Sequence, residues 1–135
     1  MTDPARIEKQ LGTTLVKQSR GTYTSPDGKL AVLCTVSKTY ERSGQDSYWF
    51  AVHQYQKEYF EARPAAFVAF GCGSENLLLL IPIADFFSWI SEMNTSSVPP
   101  RFYWHVIIRS NKGKMTLHRK KGAPIIDLTH YLVKS

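Results

Sequence analysis

The sequence predicts an α+β fold: one mixed, mostly antiparallel sheet of about six to seven strands, an N-terminal helix, and a second helix near 83–93. Three observations predict it. Apolar residues recur at helical spacing in Ile7-Leu11-Leu15 and again in Ile83-Phe86-Phe87-Ile90-Met93. Short β-branched and aromatic runs, such as Leu30 to Val36 and Phe102 to Ile108, fill most of the remainder and are bounded by Gly, Pro, Asn and Asp. The resulting order is helix, several strands, short helix, hairpin, helix, hairpin. With 135 residues the chain fits a single domain, 1–135, and no repeat, low-complexity tract or linker divides it.

In order, Asp3 followed by Pro4 is a helix start, with Asp as cap and Pro at the first helical position. The apolar spacing carries that helix over about 4–18, with Gly12 as its weak point and Gly21 as its end. Thr22 to Thr24 is a short strand, and Asp27-Gly28 is a hairpin turn. Leu30 to Val36 reads as a strand buried on both faces. Ser47 to Val52 reads as its aromatic neighbour, across the polar loop Glu41 to Asp46. His53 to Ala62 is a short helix ended by Pro64. Ala65 to Phe70 and Leu77 to Ile81 are strands joined by a loop, Gly71 to Asn76. After the 83–93 helix, Asn94 to Pro100 is a loop by composition. Phe102 to Ile108 and Lys114 to Arg119 form a hairpin across Ser110 to Gly113, and Lys120-Lys121-Gly122 is a further turn. Ile125 to Val133 starts extended and closes as one helical turn near 128–132.

At 43% hydrophobic and 13% aromatic, the chain can bury a core. Its formal charge is +6, which favours polyanionic partners. The charge is uneven. Met93 to Pro124 contains no Asp or Glu, yet holds Arg101, Arg109, Lys112, Lys114, Arg119, Lys120 and Lys121. The two cysteines, Cys34 and Cys72, have no neighbours at zinc spacing and make no disulfide framework. The N-terminus carries no apolar signal region, and the longest apolar run is far short of a membrane span. A soluble cytoplasmic protein without a membrane partner, or a domain of a longer protein, is expected.

Two constellations suit nucleic acid. The first is aromatic: Tyr48-Trp49-Phe50 and Tyr103-Trp104-His105. Alternation on a strand puts Trp49 opposite Tyr48, and Trp104 opposite Tyr103, so only some of these rings can line one pocket. The second is the basic hairpin, Arg109 to Lys121, whose exposed cations suit phosphates. Small barrels that read modified bases, such as the EVE, YTH and SRA-type domains, set aromatic cages beside such basic rims. Each constellation also has a plain structural use: strand tryptophans fill cores, and basic edge strands resist aggregation. His53, His105, His118 and His130 are scattered without metal spacing. Ser37, Ser74 and Ser88 lack a paired base, and Gly71-Cys72-Gly73-Ser74 reads as a turn.

Asp27, a strand, and then Val36-Ser37-Lys38 resembles the core of the restriction-endonuclease-like, PD-(D/E)XK, superfamily over about residues 4–93. The resemblance implies a metal-dependent nuclease frame: Asp27 as an acid, Lys38 positioning the attacking water, Glu8 as a further acid and Gln56 near metal or DNA, with magnesium as cofactor. The chain departs from the pattern at Val36, where the family carries a metal-binding carboxylate that valine cannot replace. The expectation is therefore a DNA-binding domain of a restriction or phage-defence system, with a helicase, nuclease or ATPase as fused or associated partner, and with no cofactor. The alternatives are a magnesium-dependent endonuclease, and a protein-interaction module with an incidental basic patch.

Overall fold

The computed structural model describes residues 4–74, 76–99 and 101–133. The α+β class and the mixed, mostly antiparallel strand pairing are present, but the strands divide between two sheets packed face to face. The first sheet comprises β1 (Val16–Ser19), β2 (Thr22–Thr24), β3 (Leu30–Ser37), β6 (Ala65–Cys72) and β7 (Leu78–Pro82), in the spatial order β1-β2-β3-β6-β7. The second comprises β4 (Tyr40–Arg42), β5 (Gln45–His53), β9 (Arg101–Asn111), β10 (Lys114–His118) and β11 (Ile126–Asp127), in the order β11-β10-β9-β5-β4, with β8 (Thr95–Val98) on the other part of β9. Within the first sheet only β3 and β6 pair in parallel, and the chain between them runs through β4, β5 and helix α2 (Gln54–Glu61).

The main core fills the space between the sheets. Leu33, Val68, Phe70, Leu79 and Ile81 of the first sheet meet Tyr48, Phe50, Val52, Trp104, Val106 and Ile108 of the second. Phe50 and Phe70 touch with ring centroids 4.6 Å apart. Phe60 of α2, Phe86 of α3 (Ile83–Phe87) and Met93 close one end of this layer. A second cluster, with Ile7, Leu15, Val32, Cys34 and Leu80, lies under α1 (Ala5–Leu11) on the other face of the first sheet. Each face of β3 thus meets its own core.

Five expectations are corrected. The first helix stops at Leu11, because Gly12 adopts the left-handed conformation (φ 70°) and caps it, and Val16–Ser19 then pairs with β2. Leu15 keeps its apolar role from beyond the helix, which is why the four-residue spacing suggested a longer one. Pro4 takes the cap position, and Asp3 lies outside the described residues. β5 does not pair with β3 in a ladder. The chain turns a corner between the sheets, and Ser37 ties that corner by accepting the Trp49 N–H (2.9 Å) and donating to the Lys38 carbonyl (2.8 Å). The segment expected as a loop at 94–100 contains β8, a run of Thr, Ser and Val that pairs with β9. Finally, α3 ends at Phe87, and a separate 3-10 turn covers Ile90–Glu92.

Candidate nucleic-acid interface

The strand register places one set of side chains on the solvent face of the second sheet. One row across it runs Tyr40, Ser47, Arg109, Thr116, Asp127. The next runs Trp49, Ile107, His118; then come Ala51 with His105, and His53, Tyr103, Ser96. Alternate residues of the same strands, Tyr48, Phe50, Val52, Trp104, Val106 and Ile108, form the inner face. The sequence-predicted rings are therefore split. Trp49 and Tyr103 are on the outer face. Tyr48 and Trp104 are 3% and 8% exposed, packed in the core where no base can stack on them. Burial, with the nearby Asp46 second, also pushes the Tyr48 hydroxyl above its usual range.

At the β4 end of this face is a pocket of about 340 Å³, lined by Tyr40, Arg42, Ser47, Trp49, Ile107 and Arg109. Its size is at the small end of ligand sites. Two guanidinium groups and two aromatic rings border it, and no carboxylate does. Glu41 and Asp46 pair with each other one residue out of phase, and so lie on the opposite side of the hairpin, while Asp127 stands in the Arg109 row two strands away. The Arg109 Nε atom is buried without a hydrogen-bond partner among the described residues. His118, one row away, is held below the usual histidine range, first by burial and second by the Arg109 charge. Arg42 lies in the segment Glu41 to Asp46 expected as a loop, and Tyr40 just before it; both belong to β4.

Trp49 is held in place. Its indole N–H donates to Nδ1 of His105 at 3.1 Å, and Nε2 of His105 lies 2.6 Å from the Ser96 hydroxyl. Indole nitrogen can only donate, so Nδ1 is the acceptor and Nε2 carries the proton toward Ser96. That tautomer decides the role of the Ser–His pair. A nucleophilic serine needs an imidazole lone pair facing its hydroxyl, with the other nitrogen donating to an orienting group. Here the polarity is reversed, so the pair anchors Trp49. Tyr103 adds an edge contact, with ring centroids 6.4 Å apart and planes at 83°.

The basic stretch does not form one patch. Lys112 (φ 51°) and Gly113 (φ 83°) make a tight two-residue turn between β9 and β10, exposing Lys112 and Lys114 beyond Arg109. Lys120 and Lys121 are exposed at the other end of β10. Arg119 is engaged in the fold: its guanidinium donates to the carbonyls of Trp89 (3.3 Å) and Pro124 (2.9 Å).

The nuclease-like residues do not converge. Asp27 precedes β3 and Lys38 follows it, so eight strand residues separate them by roughly 26 Å. The Asp27 carboxylate accepts the Ser25 hydroxyl (2.6 Å) and the Lys29 N–H (3.1 Å). These bonds fix the turn and, with Ser25 the largest influence, hold its pKa below the usual carboxylate range. Glu8 accepts the Leu15 N–H (2.7 Å), and Gln56 caps α2 by accepting the His53 N–H (2.8 Å). Among the described residues no group of three His, Cys, Asp or Glu side chains is placed to hold a metal ion. No described helix is long and apolar enough to cross a membrane.

No family model, curated protein or solved structure matches the chain.

Proposed function

We propose that this chain is a nucleic-acid-binding domain, with the outer face of the second sheet as its binding surface. One observation carries the proposal: Arg42 and Arg109 meet Tyr40 and Trp49 in a single acid-free pocket. Guanidinium groups suit phosphate oxygens, and exposed rings suit base faces. The Lys112–Lys114 turn beside Arg109 extends the cationic track, and the +6 formal charge supplies long-range attraction. DNA of a restriction or phage-defence system is the ligand that the sequence resemblance favours. The cutting half of that resemblance gains no support, because Asp27, Lys38 and Glu8 are each committed elsewhere or far apart.

The test is fluorescence anisotropy with labelled oligonucleotides at low salt, comparing wild type with Arg42→Gln and Arg109→Gln. Each loss of a charged hydrogen bond, on the order of 1.5–3 kcal/mol, should weaken binding roughly 10- to 100-fold. Absence of binding by the wild type at low salt, or full affinity in the double variant, refutes the proposal.

A further inference from the structure

The pocket's geometry also bears on which form of nucleic acid it takes. Resting on the nucleic-acid reading above, we infer that the site captures an unpaired nucleotide, so that single-stranded DNA or RNA, and not intact duplex, is its ligand. An indole that is 42% exposed is ordinarily free to change rotamer, but that of Trp49 is hydrogen-bonded through its N–H to His105, which is in turn bonded to Ser96. Its exposed surface is therefore preorganised, and little side-chain entropy remains to be lost on binding. Tyr40, 50% exposed, lines the same pocket on the neighbouring strand. One held ring and one exposed ring on a sheet face offer base-stacking surfaces.

In duplex DNA the faces of each base are covered by its stacked neighbours, and only base edges and the backbone are presented to a protein. Rings on a sheet can reach a base face only where the base is unstacked, as in a single strand or a flipped-out nucleotide. Arg42 and Arg109, lining the same pocket, are placed for the phosphates flanking such a base. A duplex binder has no need of a held indole beside two guanidiniums. Cations alone would suffice for its backbone.

The experiment measures affinities of the full chain for labelled dT20, rU20 and a 20-base-pair duplex by anisotropy, with quenching of intrinsic tryptophan fluorescence as a second readout. The wild type should bind the single strands about tenfold or more tighter than the duplex, with quenching by the single strands alone. Tyr40→Ala and Trp49→Ala should each weaken single-strand binding at least fivefold and leave duplex binding unchanged. Trp49→Phe keeps a ring should the alanine variant misfold, and should retain part of the affinity while losing most of the quenching. The dT20 and rU20 arms distinguish DNA from RNA, and preference for either supports the inference. Equal affinity for single strand and duplex, or ring variants that weaken both alike, overturns the inference while the nucleic-acid reading stands. No binding to any of the three overturns both.

Discussion

Arg119 and Lys112 carry the same charge and stand in the same acid-free stretch, yet the fold gives them different work. Lys112 sits at the exposed tip of the β9–β10 turn, with Lys114 beside it. The Arg119 guanidinium is held against two backbone carbonyls, linking the segment after β10 to Trp89 and Pro124. Four cations stand at the pocket and the turn beside it: Arg42, Arg109, Lys112 and Lys114, the last with Asp127 near enough to feel its charge. At about 0.7 per neutralised phosphate on a single strand, four contacts give a log–log salt slope of about −2.8, or roughly a 50-fold loss of affinity from 50 to 200 mM salt. The Lys112→Ala/Lys114→Ala double variant should halve the slope to about −1.4, and lose only roughly sevenfold over the same range. Arg119→Ala should leave the slope at its wild-type value. Instead it should cost about 0.5–1.5 kcal/mol of stability, because the part-buried Trp89 carbonyl and the exposed Pro124 carbonyl lose their donor. Anisotropy titrations across a salt series, with urea melts of each variant, measure both quantities. A slope that falls in Arg119→Ala, or stays unchanged in the double lysine variant, refutes the assignment of these cations.

Trp104→Ala should lose about 3–5 kcal/mol of stability in urea denaturation, whereas Trp49→Ala should lose clearly less; equal losses would mean that Trp49 is a core residue. His105→Ala should release the Trp49 indole, seen as a shift and faster hydrogen exchange of one indole N–H signal in NMR, with the fold intact. An unmoved signal would dismiss the anchoring role. Magnesium and manganese should leave plain DNA uncut, and metal-dependent nicking abolished by Asp27→Ala and Lys38→Ala would restore the nuclease alternative. Burial pushes the Cys34 and Cys72 thiols up to about 12, and burial with the Asp85 contact pushes Tyr131 to about 12. The folded state thus holds these protons more tightly than the unfolded chain, so stability is complete below about pH 9 and falls as pH rises from 9 toward 12. Cys34→Val should flatten that fall in a series of urea midpoints, and an unchanged profile would remove Cys34 from the account.

The segments that were legible in the sequence carry their own signals. β3 is a largely apolar run, α2 is ended by Pro64, and the β9–β10 hairpin turns at Lys112-Gly113. What was not legible depends on partners distant in the chain. Ser and Thr suit loops as well as edges, so β8 becomes a strand only through its pairing with β9. Leu15 fits a helical stripe equally well from a helix or from the link beyond it. The division into two sheets is set by where β5 finds its neighbour: β9, more than forty residues later, and not the adjacent β3. The candidate site follows the same rule. Trp49 and Arg109 were visible as residue types, but their meeting with Tyr40 and Arg42 required the register of β4, β5 and β9.

That register decides which rings form a surface. β5 reads Ser-Tyr-Trp-Phe-Ala-Val-His over 47–53, and β9 reads Phe-Tyr-Trp-His-Val over 102–106; neither alternates cleanly between apolar and polar residues. Hydrophobicity alone therefore leaves both faces eligible for the core, and a slip of one residue in β5 would bury Trp49 and expose Tyr48 and Phe50. Two features oppose the slip. Ser37, at the end of β3, accepts the backbone N–H of Trp49, which fixes β5 against the first sheet. His105 accepts the indole N–H from the strand alongside, which rewards the outward orientation of the same residue. Both bonds end on Trp49, one at its backbone and one at its ring. The residue that fixes how the second sheet meets the first is thus the same residue that lines the arginine pocket, and the fold and the proposed function constrain a single position.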